Sequence, residues 1–344
     1  VGSSNGYGLA ARITSAFSCG AATAGVFLER PGTANRTATV GWYNNLAFEH
    51  EAHDAGLTAF SLNGDAFSNE IRSRTIDRIA DEMGPVDCVI YSIAAPRRID
   101  PETGRIHSSV VKPIGRRFEG KTVDIKTGAL TDVVAEPATD DEIADTIKVM
   151  GGEDWMEWLA ALDDRRMLAD DALTVALSYV GPAITAPLYR DGTIGRAKEH
   201  LEASASKIQE RFAQRNLRAV ISVNKALVTR ASAVIPTVTL YISLLYSVMK
   251  RKGLHEGCIQ QMYRLYRDHL FVDQPGPLDA HGRIRLDDWE MREDVQREVA
   301  ELWQRIREAP LDQVSEIDEF RSEFLRHHGF EMPGVDYDLE VNEL

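Results

Sequence analysis

Short apolar runs alternate with amphipathic stretches along this chain, most clearly at 22–29, 57–62, 86–92, 172–179 and 217–223. Each run is a few residues long and apolar on both faces, as a strand covered on both sides requires. Helical signals lie between them. Thr139-Asp140-Asp141-Glu142 has capping-box form, Ile143, Ile147 and Met150 follow on one face, and Gly151-Gly152 stops the run. This alternation predicts an α/β fold on a doubly wound parallel sheet. In such a fold ligands bind outside the carboxyl ends of the strands. Gly2 to Gly8, Glu29, Gly64-Asp65-Ala66, Ser92-Ile93-Ala94 and Tyr179 all fall at such ends. Residues scattered over a surface would not collect on one edge.

A longer apolar stretch, 231–249, is interrupted by Pro236, two threonines and three serines. A membrane span needs about twenty largely apolar residues, so a buried helix is expected here. There are no internal repeats and no low-complexity run.

The opening residues carry the first chemical signal. Gly2, Gly6 and Gly8 precede a helical pattern. Glycines at this spacing read as the turn between the first strand and first helix of a dinucleotide-binding domain, where the backbone approaches a pyrophosphate and free helix amides bind it. The run 22–29 ends in Glu29, about twenty residues on, where a carboxylate accepts the adenine-ribose hydroxyls. Its charge would repel a 2′-phosphate, which favours NADH over NADPH. Val1 reads as the last residue of a first strand, so the sequence given is expected to be part of a longer chain.

The second signal is Tyr189 with Lys198, after the run 172–179. A phenol near a cation is a tuned proton donor. On one unbroken helix, nine residues turn through about 900°, which would put the two side chains on opposite faces. They share a site if the helix starts between them. Asp191-Gly192-Thr193 supplies the break, with Thr193 expected as N-cap and Lys198 in the second turn.

Composition narrows the class. The chain has 344 residues, 44% hydrophobic and 27% charged, and a formal net charge of −14. That suits a large enzyme and opposes general nucleic-acid binding. A phosphate-bearing substrate would need a local basic patch. Cys19, Cys88 and Cys258 are too far apart for a disulfide framework, which suggests a reducing, cytoplasmic setting. His255, Cys258, His327 and His328 lack the spacing of a zinc site, and no metal is expected.

Over its whole length the sequence resembles the FabV type of enoyl-acyl-carrier-protein reductase, the trans-2-enoyl-CoA reductase family within the short-chain dehydrogenase/reductases. The resemblance runs through Gly2 to Gly8, 25–32, Gly41-Trp42-Tyr43-Asn44, 63–68, 112–115, 149–155, 255–258 and 334–337. Eight residues separate Tyr189 from Lys198, which is this family's own spacing. The resemblance implies one extended Rossmann-type domain over 1–344, with a helical substrate-binding insert at about 97–171 and a helical and hairpin C-terminal part at about 253–344. It implies NADH-dependent reduction of the 2,3 double bond of enoyl-CoA or enoyl-acyl-carrier-protein in fatty-acid synthesis, by a monomer, with no nucleic-acid or membrane partner.

The same resemblance assigns residues. Gly2, Ser3, Ser4, Asn5, Gly6 and Tyr7 would hold the pyrophosphate, Leu28 and Glu29 the adenine ribose, and Asp65 and Ala66 the adenine. Ile93 and Ala94 would flank the cofactor, with Leu227, Val228 and Thr229 at the nicotinamide end. Tyr179 would bind the substrate carbonyl, Tyr189 would donate the proton and Lys198 would contact the cofactor. Contiguity with Leu227 to Thr229, rather than the resemblance, puts the next turns, Ala231, Ala233, Ile235, Pro236 and Leu240, along an acyl pocket with Lys250, Arg251 and Lys252 near its end, plain core packing being the competing reading. Two departures stand out. Relatives carry several tens of residues before the glycine turn, and Arg190 stands where they often have an aromatic residue. A short-chain carbonyl reductase and a non-catalytic NADH-binding protein are the alternatives. The first lacks the long insert and this Tyr–Lys spacing, and the second would need a broken donor set.

Overall fold

Each apolar run becomes a strand of a parallel sheet in the computed structural model, which describes residues 1–124, 127–229, 232, 235, 237–306 and 315–339. Helix α1 (Gly6–Cys19) leads into β1 (Thr23–Phe27), and α2 (Val40–Asp54) leads into β2 (Ala59–Asn63). β1 and β2 pair in parallel, with Val26 opposite Leu62. Helix α3 (Asn69–Glu82) then returns the chain to β3 (Val86–Tyr91).

The insert follows. It holds two antiparallel hairpins, β4 (Arg97–Ile99) with β5 (Ile106–Ser108) and β6 (Phe118–Val123) with β7 (Leu130–Ala135), before α4 (Asp140–Met150) and α5 (Glu153–Asp164). A helical insert was the expectation, and α4 and α5 are joined there by these hairpins. The hairpin strands mix charged, polar and apolar residues, as in Arg97-Arg98-Ile99 and Phe118 to Val123, so they present no long apolar run. The capping box is present as expected: Thr139 Oγ1 accepts from Glu142 N, and the Glu142 carboxylate accepts from Thr139 N.

The sheet resumes with β8 (Leu168–Ser178), α6 (Thr193–Arg211) and β9 (Arg218–Val223). The remaining elements are α7 (Val238–Arg251), α8 (Cys258–Leu265), β10 (Arg283–Arg285), α9 (Glu293–Arg305) and α10 (Ile317–Arg326). Strands β3, β8, β9 and β10 are parallel, in the order β10-β9-β8-β3. Val1 and Gly2 join this group to β1. Ser92 N donates to Val1 O at 2.9 Å, and Gly2 N donates to Val26 O at 2.8 Å. The strands therefore wind outwards in both directions from Val1, so the Gly2 turn sits at the topological switch point.

Both faces of the sheet are covered, which is why its strands read as continuous apolar runs. On one face Trp155 and Leu159 of α5 and Leu201 and Ile208 of α6 pack on Phe60, Tyr91 and Val223. On the other, Ala10 and Ala11 of α1 bring that helix close, beside Met262 and Leu265 of α8 and against Val175 and Val220. A third cluster gathers α7, α9 and α10 around Tyr189. Every residue of α7 from Val238 to Met249 is buried, as a helix apolar all round must be. Among the described residues no helix is long and apolar enough to cross a membrane.

Candidate active site

The glycine turn is shaped by what a side chain would strike. Gly2 has φ +85°, and a Cβ there would lie 2.3 Å from Ser92 O. A Cβ on Gly8 would lie 1.9 Å from Gly2 O. Both positions therefore demand glycine. Leu9 N is the first α1 amide to bond back, to Asn5 O, so the amides of Gly6, Tyr7 and Gly8 have no partner among the described residues. The first turn of α1 also contains no acid. Unbonded amides at the positive end of a helix dipole suit a diphosphate. Asn5 caps the helix without a side-chain bond, its Nδ2 donating to Ser4 Oγ at 3.1 Å. Ser3 is buried with its hydroxyl on Val26 O. The Tyr7 hydroxyl is committed elsewhere, donating to Lys225 O at 2.7 Å, so Tyr7 has only its backbone to offer.

Glu29 lies at the end of β1 and is buried. Gly41 makes room for it, since a Cβ there would come within 2.4 Å of Glu29 Oε1. Asn5 Nδ2 approaches the same oxygen at 3.4 Å. Asn63, given no separate role by the sequence reading, fixes the Glu29 peptide from both sides at 2.8 Å. Leu28 beside it is exposed. Asp65 Oδ1 caps its own turn by accepting Phe67 N, and Ala66 O accepts Trp158 Nε1. Ile93 and Ala94 follow Ser92, directly against Gly2. Thr229 closes in from the far side, its Cγ2 3.6 Å from where a Gly6 Cβ would be. Leu227 and Val228 are buried behind it. The structure therefore brings Gly2 to Gly8, Ile93, Ala94 and Thr229 together.

Tyr179 and Tyr189 also meet. Their rings lie edge to face, with centroids 5.1 Å apart. Among the described residues the Tyr189 hydroxyl has no hydrogen-bond partner. The helix does start between Tyr189 and Lys198, but Gly192 is its N-cap. Thr193 is the first helical residue, and its hydroxyl ties α6 to the insert, donating to Val110 O and accepting Lys112 N. Lys198 lies in the second turn. Among the described residues no hydrogen bond joins it to Tyr189. Burial raises the Tyr189 phenol, and burial lowers Lys198 to about 8. Desolvation, rather than the lysine charge, sets the direction at Tyr189.

Sequence reasoning missed Glu290. Its buried carboxylate accepts the Tyr179 hydroxyl at 3.1 Å and the Ala226 amide at 2.6 Å. An acid 111 residues from Tyr179 leaves no spacing signal. Of the expected acyl pocket, Ala231, Ala233 and Pro236 lie outside the described residues. Ile235 is half-buried and Leu240 buried, both in the α7 cluster. Lys250, Arg251 and Lys252 do not end a pocket as free cations. They pair with Glu319, Glu298 and Asp294 of α9 and α10. Arg190 is exposed and pairs with Asp191 at 3.1 Å. Among the described residues, no cluster of three His, Cys, Asp or Glu side chains is placed to hold a metal.

Three family models cover nearly the whole chain. Residues 1–34 match the NAD(P)H binding domain of trans-2-enoyl-CoA reductase, 36–271 the trans-2-enoyl-CoA reductase catalytic region, and 278–341 the enoyl reductase FAD binding domain. The chain is 53% identical to the enoyl-[acyl-carrier-protein] reductase [NADH] of Flavobacterium johnsoniae, over 100% of this chain and 87% of that protein. It is 52% identical to the trans-2-enoyl-CoA reductase [NADH] of Ruminiclostridium cellulolyticum, over 99% of this chain and 87% of that one. The crystal structure of Treponema denticola trans-2-enoyl-CoA reductase in complex with NAD superposes with a TM-score of 0.95 at 49% identity, covering 99% of this chain and 85% of its own.

Proposed function

The chain belongs to the trans-2-enoyl-CoA reductase family, and from that premise we propose that it reduces the 2,3 double bond of trans-2-enoyl thioesters with NADH. The observation that carries the reading is the meeting of Tyr179 and Tyr189 at the sheet edge that also bears the glycine turn. When bound, NADH supplies the hydride that adds to the β-carbon and moves negative charge to the thioester oxygen.

The chain's own residues do the rest. Gly6, Tyr7 and Gly8 would offer their amides to the diphosphate, Ser4 and Asn5 lie in the same turn, and Gly2 and Ser3, whose amides bond Val26 O, shape that turn. Leu28 and Glu29 receive the adenine ribose, Asp65 and Ala66 the adenine, and Ile93, Ala94, Leu227, Val228 and Thr229 flank the nicotinamide half. Lys198 holds the cofactor's ribose. Tyr179 binds the thioester oxygen, and Tyr189 donates its unbonded proton to the developing enolate. A phenol raised by burial keeps that proton until the enolate forms, and donors in a site closed to water stabilise the charge most.

FAD does not fit the part of the chain that matches a FAD-binding description. Helices α9 and α10 each open with two acids, Glu293 with Asp294 and Asp318 with Glu319, which repel a diphosphate. Arg283, Arg285 and Arg292 are already paired with Asp279, Asp287 and Asp294.

Spectrophotometric assays of NADH oxidation with crotonyl-CoA, and with the same acyl group on acyl carrier protein, test the proposal and separate the two carriers. Reduction of a simple ketone with no turnover of either thioester would overturn it.

A further inference from the structure

Glu290 lies at 0% exposure with its carboxylate on three walls of the candidate site. Oε1 faces the Tyr179 hydroxyl at the end of β8, at 3.1 Å, and the Tyr241 hydroxyl of α7, at 2.8 Å. Oε2 accepts the Ala226 amide at 2.6 Å, one residue before Leu227. Gln296 of α9 donates to the Tyr241 oxygen at 3.0 Å and to the Glu290 main-chain oxygen at 2.7 Å. The Tyr241 oxygen therefore already receives a proton, and its own proton has Glu290 as acceptor. The direction of that bond is fixed, so Tyr241 and Ala226 hold the carboxylate still.

We propose that Glu290 is the positioning residue for Tyr179, seating its hydroxyl where the thioester oxygen arrives and tying that hydroxyl to the 226–229 loop and to α7. The proposal rests on the enoyl-thioester reading above. A buried carboxylate is costly, and an apolar side chain of similar volume commonly stabilises a core as well or better. Here the carboxylate's side-chain partners are Tyr179 and the tyrosine that braces it, not distant parts of the core. Among the described residues the titratable groups around it are Tyr179, Tyr241, Tyr7, Lys225 and Asp287. Burial raises its carboxyl above the usual range, with Asp287 adding and Lys225 opposing. A carboxyl that takes up a proton donates to the Tyr179 oxygen and frees the Tyr179 proton for the substrate. An ionised one accepts that proton until the substrate competes for it. In either state Glu290 sets where the hydroxyl sits.

The test is a double-mutant cycle with crotonyl-CoA and NADH on Glu290→Gln, Tyr179→Phe and the double variant. Glu290→Gln should lower kcat/KM for crotonyl-CoA by about ten-fold or more, and NADH affinity, read by fluorescence, should hold within about two-fold. The double variant should be no worse than Tyr179→Phe within about two-fold, because Glu290 acts through that phenol. Losses that multiply across the two sites overturn the proposal and leave Glu290 a structural acid. Wild-type kinetics in Tyr179→Phe overturn the roles of both residues. No thioester-dependent NADH oxidation by the unaltered chain sinks the reductase reading, and the Glu290 role falls with it. Should Glu290→Gln lose cooperative melting, Tyr241→Phe removes one donor from the carboxylate and keeps the ring. Run through the same cycle, it must also be silent in the Tyr179→Phe background.

Discussion

Tyr189 holds a phenol that burial has made a weaker acid, with no partner for its proton among the described residues. Its replacement by Phe should lower kcat by about a hundred-fold or more, the usual scale for a lost general acid. NADH binding by fluorescence should hardly change. Turnover near wild type would remove Tyr189 from the reaction. Lys198 gives a pH signature. Burial lowers it to about 8, so its charge is present below that pH and is lost as pH rises through it. The kcat/KM for NADH, which reports free-enzyme ionisation, should fall above about pH 8. Lys198→Arg should move that limb upward, and an unmoved limb would assign it to another group. Glu29 faces the Asn5 amide within the glycine turn. Glu29→Gln should narrow the preference for NADH over NADPH by roughly 1–3 kcal/mol, the scale of one repulsive contact removed. An unchanged ratio of the two kcat/KM values would leave Glu29 a structural acid. At this scale the sequence showed the residues that sit in local motifs. It could not show Asn63 or Glu290, whose roles come from contacts made across the fold.

Elements were legible where burial wrote them. Strands β1, β2, β3, β8 and β9 carry buried apolar residues and read as apolar runs, each within a few residues of the expected position. The hairpins of the insert and the three-residue β10, Arg-Ile-Arg, carry too little apolar surface to be read. The insert is instead fastened by charge. Arg98 of β4, 1% exposed, donates to Lys148 O of α4 and to Glu153 and Glu157 of α5. Arg72 of α3 meets Asp154 and the same Glu157 at 2.8 Å. Asp154 is raised by burial to about 6 despite Arg72. The guanidinium of Arg98 also lies over Phe67, just past the residues assigned to the adenine. Arg98→Ala should therefore lower unfolding stability by about 3–5 kcal/mol, as removal of one partner of a buried pair does. Arg98→Lys should recover only part, since one ammonium cannot reach all three acceptors. A change in urea unfolding below about 0.5 kcal/mol would mean that the network is an exposed-type pairing.

Beside the parallel sheet, α7, α9 and α10 pack together around Tyr189, and that association was not visible from periodicity. Helix α7 was readable as buried, but nothing in its sequence shows that α9 and α10 cover it. The seat of α10 contains a titrating group. His255 packs edge to face on Tyr246 of α7, with Glu323 of α10 at 4.0 Å. Its Nδ1 is buried without a hydrogen-bond partner among the described residues. Burial, with Lys225 and Lys250 adding, lowers the imidazole to about 4, against the pull of Glu323 and Glu319. The folded chain therefore keeps His255 neutral, while the unfolded chain protonates it near its ordinary pKa of about 6.5. Stability from this residue is complete above about pH 6.5 and is lost as pH falls from there to about 4, by up to about 2 kcal/mol at pH 5. Asp154 acts the other way over the lower part of that window, since a raised carboxyl gains stability as it takes up its proton. The two are separable by mutation. His255→Gln cannot titrate, so its urea midpoint should fall less between pH 7 and pH 5 than that of the unaltered chain. Parallel profiles for the two proteins would show that acid does not act at the seat of α10.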